Sequence, residues 1–154
     1  KVIRLTTETA SIDVRPKFVY SHLMMPHYPY YFDNRGRQRP PEDLTTELIT
    51  DTSAFVDYLQ YANGVYLSLI DTILKRSTTP PIIILAGDHG FRNFKERGDK
   101  KYHFMNLAAV YRPDGNYGSY YPRISNVNQF RVLFNDQFKQ ELLLLKDSTI
   151  FLLE

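Results

Sequence analysis

The sequence predicts an α/β fold, a three-layer arrangement in which a mostly parallel sheet is flanked by helices. Three observations carry this expectation. The run Ile82-Ile83-Ile84-Leu85-Ala86 is continuously apolar, bounded by Pro80-Pro81 before it and Gly87-Asp88-His89-Gly90 after it. Such runs are typical of strands buried on both faces of a parallel sheet. A second run, residues 17–25, is rich in β-branched and aromatic residues and follows Pro16, which is strand chemistry. Between them, Phe55, Leu59, Ala62, Tyr66, Leu69, Ile70, Ile73 and Leu74 recur at threes and fours, giving one apolar helix face. Strand, long helix and buried strand in this order form the pattern of a right-handed βαβ crossover.

The elements follow in order. Residues 1–16 are expected to form an extended or irregular arm, since Val2, Ile3 and Leu5 lead into Thr6-Thr7-Glu8-Thr9 with no sustained period. The domain proper runs over residues 17–154. Its first strand stops at Pro26-His27-Tyr28-Pro29, where the prolines restrict the backbone and hold His27 in an extended loop. Asp33-Asn34-Arg35-Gly36 reads as a turn. The helical pattern spans residues 44–76, with Asp51, Thr52 and Ser53 as N-cap candidates and Lys75 and Arg76 at the negative end of the helix dipole. A polar, mobile loop is expected over residues 91–101, then a third strand over 103–111, stopped by Arg112-Pro113-Asp114-Gly115. Ser125 caps a second helix over 127–138. The apolar stretches 142–145 and 150–153 read as packing pieces.

Composition limits the functional classes. A chain of 154 residues, 43% hydrophobic and 23% charged, suits one soluble domain with a real core. A formal net charge of +2, without any long run of like charge, argues against a nucleic-acid partner. The absence of Cys excludes a disulfide framework and a thiolate metal site. No apolar stretch reaches the length of a membrane span. The chain opens on Lys1 rather than Met and is read as a piece of a longer protein, so membrane association is expected only through a segment outside it.

Candidate chemistry concentrates at strand ends. Asp88 and His89 offer a hard carboxylate beside an imidazole, a pair that suits Zn, Mn or Mg-type ions, and the flanking glycines allow tight backbone geometry. The plainer reading is a turn in which Asp88 caps and His89 lies on the surface. If the two strands are parallel, His27 opens on the same sheet edge as Asp88 and becomes a metal or anion contact. His103 opens the third strand, at the far edge unless the preceding loop brings it round. Arg92, with Lys100 and Lys101, is a candidate for holding a phosphate or sulfate, against the ordinary case of solvated cations.

Three segments taken together resemble a known family. These are Phe-Val-Tyr-Ser-His-Leu-Met-Met-Pro-His-Tyr-Pro-Tyr (residues 18–30), the helix holding Tyr58-Leu59-Gln60-Tyr61-Ala62-Asn63, and Ile82-Ile83-Ile84-Leu85-Ala86-Gly87-Asp88-His89-Gly90. Met105-Asn106-Leu107-Ala108-Ala109-Val110-Tyr111 and the stretch from Ile124 to Arg131 add to the likeness. Over residues 17–138 the chain resembles the C-terminal half of the alkaline phosphatase superfamily, in particular sulfatase-like proteins and phosphoglycerol or phosphoethanolamine transferases. The resemblance implies that Asp88 and His89 bind a divalent metal (Zn, Mn, Mg or Ca) and that His27 contacts the substrate's phosphate or sulfate or a second metal. It gives His103 a supporting role at the same site. It implies attack on a phosphate or sulfate ester by a metal-activated Thr, Ser or formylglycine. That family's nucleophile lies upstream of everything seen here, so the chain is expected to be inactive alone. It implies a periplasmic or membrane-attached full-length protein. A non-catalytic anion- or glycan-binding module is the second reading, and a sheet left with an uncovered face or edge would favour self-association.

Overall fold

A computed structural model of the chain describes residues 1–12, 15–95, 98 and 100–150. Its regular elements are α1 (Val2–Ala10), α2 (Thr52–Arg76), β1 (Ile83–Ala86), β2 (Ala108–Tyr111) and α3 (Asn126–Phe138), with short 3-10 turns at Pro41–Asp43, Thr46–Thr50 and Lys100–Phe104. The chain divides into two units: Lys1–Pro81 with Phe91–Lys100, and Ile82–Gly90 with Lys101–Glu154. Parts of the expected loop 91–101 (Glu96, Arg97 and Asp99) and of the apolar stretch 150–153 (residues 151–153) lie outside the described residues.

In the first unit the expected irregular arm is a helix. Threonines at Thr6 and Thr9 bond back to the carbonyls of Val2 and Leu5 at 3.0 and 2.8 Å, and Arg4 pairs with Glu8 at 2.6 Å across one turn. Those local bonds satisfy a sequence of modest helix propensity, and α1 packs against α2. Lys17 closes its C-terminal end by donating to the Thr9 carbonyl at 2.6 Å.

The expected strand over residues 17–25 is absent. Phe18 and Tyr20 are 83% and 77% exposed. No neighbouring strand offers them a pleated, half-buried surface, and that surface is what strand preference measures. Tyr20 also tilts against His22, which is exposed rather than packed.

Helix α2 covers only the later part of the expected helical span 44–76, since residues before Thr52 form the separate 3-10 turn Thr46–Thr50. Asp51 accepts from the Ser53 and Ala54 amides at 2.9 and 3.0 Å, satisfying two of the otherwise orphaned N-terminal donors. Lys75 and Arg76 occupy its last turn. The buried face is Ala54, Tyr58, Ala62 and Leu69. Around it Tyr30, Ala54 and Tyr58 form a core packed by Met25, Tyr28, Phe32, Leu48, Phe55 and Tyr61. Tyr28 and Tyr30 meet perpendicular at 5.7 Å, while Phe32 and Tyr61 each stack on Tyr58, both arrangements that aromatic quadrupoles favour. The Tyr30 hydroxyl donates to the Ile49 carbonyl at 3.0 Å. Burial pushes the Tyr58 phenol up to about 12. α2 is the longest helix among the described residues, and none of them is long and apolar enough to cross a membrane.

The second unit corrects the expected sheet. β1 pairs with β2 antiparallel, in the register Ile83↔Tyr111, Ile84↔Val110, Leu85↔Ala109 and Ala86↔Ala108. The sheet has two strands, so neither the mostly parallel sheet nor the three-layer arrangement like the alkaline phosphatase fold is present. With no strand over 17–25 there is no βαβ crossover. Among the described residues of 87–107 there is no crossover helix, which an antiparallel partner permits and a parallel one does not. The third strand begins at Ala108 rather than at His103.

Two polar assemblies hold this unit together. Arg112, 3% exposed, forks onto Asp114 at 2.8 and 3.1 Å and reaches Asp136 at 2.5 Å. That pairing compensates a buried charge and holds the Asp114 carboxyl below its ordinary range. Asp147 accepts from the Tyr121 hydroxyl at 2.6 Å and the Ser125 amide at 2.8 Å, which lowers its pKa to about 2. Helix α3 starts at Ser125, whose hydroxyl accepts from the Asn128 amide at 3.3 Å, and ends at Lys139 in the left-handed region, φ 51°.

Beyond Lys139 the leucine stretch runs back along α3. Asn135 exchanges two hydrogen bonds with the backbone of Leu142, both 2.9 Å. Asn128 does the same with Leu145, at 2.7 and 2.9 Å. Arg131 donates to the Leu143 carbonyl at 2.9 Å. Seven residues of helix rise ~10.5 Å and three residues of strand about 10 Å, so the two asparagines match the strap's repeat.

Candidate functional site

The Asp-His-Gly turn is built from its glycines outward. β1 ends at Ala86, and the Gly87 amide donates to the Leu107 carbonyl at 2.8 Å. The Gly87 carbonyl accepts from Asn106 Nδ2 at 2.7 Å and Asn126 Nδ2 at 2.9 Å. At the other end the Gly90 amide donates to the His103 carbonyl at 2.8 Å. A side chain at Gly90 would collide with the Tyr102 carbonyl oxygen and lie 2.8 Å from that of Met105, so only glycine permits this approach. Asp88 and His89 are therefore two residues held between two anchored neighbours.

Their geometry is defined. Asp88 Oδ1 accepts from the His89 amide at 3.0 Å, and the Asp88 side chain is 92% exposed. His89 Nδ1 lies 2.6 Å from the Gly90 carbonyl oxygen. A carbonyl only accepts, so Nδ1 carries the hydrogen and the neutral ring's lone pair sits on Nε2. Nε2 lies 3.8 Å from Asp88 Oδ2. A histidine that ligates a metal almost always donates its other ring N–H to a carbonyl or carboxylate, which fixes the tautomer. His89 has that arrangement.

The remaining expected site residues divide between the units. His103 shares the second unit with Asp88 and His89, in the Lys100–Phe104 turn. Its backbone carbonyl accepts from the Gly90 amide. His27 and Arg92 belong to the first unit, and both are exposed. His27 follows no strand, so the shared sheet edge expected for it has no basis. Its amide donates to the Met24 carbonyl at 2.7 Å, and its Nδ1 contacts the Tyr28 carbonyl, repeating the bond of His89 to its own following residue.

Among the described residues no group of three or more His, Cys, Asp or Glu is placed to hold a metal ion. The turn offers two protein ligands, fewer than a tetrahedral or octahedral ion takes. For ligands at about 2.1 Å from an ion, donor atoms stand ~3–3.4 Å apart. The 3.8 Å separation of Nε2 and Oδ2 closes to that with a small rotation of the exposed carboxylate. The pair fits one side of such a centre.

Sequence reasoning gave no site role to Asn106 and Asn126. The available signal was an amide interrupting the apolar stretch 104–111, and a second amide directly after the helix cap Ser125. Comparison with protein-family models, with curated proteins and with solved structures gave no match to this chain.

Proposed function

We propose that Asp88 and His89 supply two ligands to a divalent metal centre that serves phosphate- or sulfate-ester transfer or hydrolysis, with the nucleophile provided outside this chain. The observation that carries this reading is the His89 Nδ1 to Gly90 carbonyl bond, 2.6 Å, which directs the Nε2 lone pair beside a carboxylate. The ester chemistry rests on the sequence resemblance of the Pro-His-x-Pro and Asp-His-Gly segments. It rests on the turn and not on the fold, since the two-stranded antiparallel sheet is not that superfamily's.

A divalent ion held by Asp88 and His89 would supply polarisation of a phosphoryl or sulfuryl oxygen and stabilisation of developing charge. The chain's own contribution is to fix the tautomer of His89, keep the Asp88 carboxylate solvent-facing, and hold both between anchored glycines. Titration calorimetry of the chain with Zn2+ or Mn2+ tests the reading. One site is expected, lost in both His89→Ala and Asp88→Ala. Absence of binding, or binding untouched by both substitutions, overturns it.

A further inference from the structure

We infer that Asn106 and Asn126 are positioning residues for the Asp88–His89 pair, acting as a two-amide clamp on the Gly87 carbonyl oxygen. The inference rests on the metal-centre reading and adds the groups that hold its ligands in place. Two donors converge on one acceptor, at 2.7 Å from Asn106 and 2.9 Å from Asn126, and the two amides meet each other at 3.4 Å. A carbonyl oxygen has two lone pairs, and both are used. The Gly87 amide is spent on Leu107.

The clamp acts on the peptide that leads directly into Asp88. Peptide planarity makes the Gly87 oxygen, the Asp88 nitrogen and the Asp88 Cα one rigid plate. Fixing the oxygen from two sides therefore fixes where the Asp88 side chain begins. The donors come from separate elements, one just before β2 and one in the first turn of α3, so the plate is referenced to both. Neither amide is needed to complete its own element. Ser125 already caps α3, and Asn106 precedes the paired residues of β2.

A purely structural staple between helix and sheet would show the same contacts, so the test separates stability from ligand geometry. Zn2+ alone is titrated by calorimetry into the wild-type chain and into Asn126→Asp and Asn106→Ala. Asn126→Asp keeps the side chain's size and suits the positive end of a helix, yet removes the donor; Asn106→Ala removes the other donor independently. In parallel, ring-nitrogen NMR reads the tautomer of His89. Both variants are expected to weaken Zn2+ by ~10-fold or more, beyond the loss shown by a core variant of equal stability. The His89 ring is expected to change from a single Nδ1–H tautomer to an averaged one. Unchanged affinity and tautomer in both variants overturn the clamp while leaving the metal centre standing. Affinity losses that Val132→Ala reproduces at equal loss of stability also overturn it. A wild-type chain that binds no Zn2+ overturns the metal-centre reading and this inference together.

Discussion

His89 Nδ1 and the carbonyl oxygen of Gly90 lie 2.6 Å apart, so the imidazole is oriented by the residue that follows it. Gly90 in turn presses against the carbonyls of Tyr102 and Met105. Gly90→Ala forces these backbone groups apart, and overpacking of this kind costs about 1–3 kcal/mol. Chemical denaturation is expected to show that loss, with the His89 ring signals shifted. A neutral Gly90→Ala would mean that the turn is looser than its contacts.

Gly64 gives the opposite expectation. It lies inside α2, and a side chain built there meets nothing within 4 Å. Alanine removes the backbone freedom of glycine from the unfolded chain and adds no clash. Gly64→Ala should stabilise by ~0.5–1 kcal/mol, read as a higher denaturation midpoint at unchanged slope.

The tyrosine core sets an alkaline limit. The Tyr58 phenol is raised from 10.0 to about 12 by burial, with Tyr66, Tyr31 and Tyr61 adding to it. A raised folded-state value means this contribution is complete below the unfolded value near 10.0 and is lost as pH climbs to about 12. Stability measured from pH 9 upward should fall across that window, and Tyr58→Phe should flatten the fall. A curve unchanged by Tyr58→Phe would assign the loss to other groups.

Asp147 sets an acid limit. Its carboxyl is lowered from 3.8 to about 2, first by the Tyr121 hydroxyl and then by Ser125. A depressed value contributes stability above 3.8 that is lost as pH falls toward about 2. Asp147→Asn should reduce the acid sensitivity of the second unit, followed by the Tyr121 signal, while lowering its stability at neutral pH. Equal acid sensitivity in variant and wild type would remove Asp147 from this role.

The strap on α3 separates two asparagines by burial. Asn128 is fully buried and bonds Leu145 twice, so Asn128→Ala strands a backbone donor and acceptor and should cost about 2 kcal/mol or more. Asn135, half-buried, makes the same two bonds where they are open to solvent, so water replaces them. Asn135→Ala should cost ~1 kcal/mol or less. Amide exchange at Leu142 and Leu145 checks both, each variant releasing its own end of the strap.

What could be read in the sequence was local. The caps at Asp51 and Ser125, the basic last turn of α2 and the glycine-bounded turn at Asp88 depend on neighbours a few residues away, and all appear. The sheet could not be read in this way. A continuous apolar run such as residues 82–86 fits any strand whose faces lie away from bulk water, and its direction of pairing depends on Ala108–Tyr111, a stretch far along the chain. The aromatic residues 17–25 misled because strand preference needs a partner strand. Helix α1 was hidden because its threonines favour other structures until they bond back to the previous turn. Asn106 and Asn126 were invisible as a pair, since only the fold brings both to Gly87.

The asparagine ladder also decides where the chain tolerates change. Asn128, Arg131 and Asn135 grip the strap by its main chain, and the Leu143 side chain is 83% exposed. The address of the strap is thus written on the helix, and residues 142–145 can drift in identity without losing their place. An inserted or deleted residue between Asn128 and Asn135 would put the two amides out of phase with a ruler of three peptide steps. A change of length in the connection around Lys139 would merely lengthen the return.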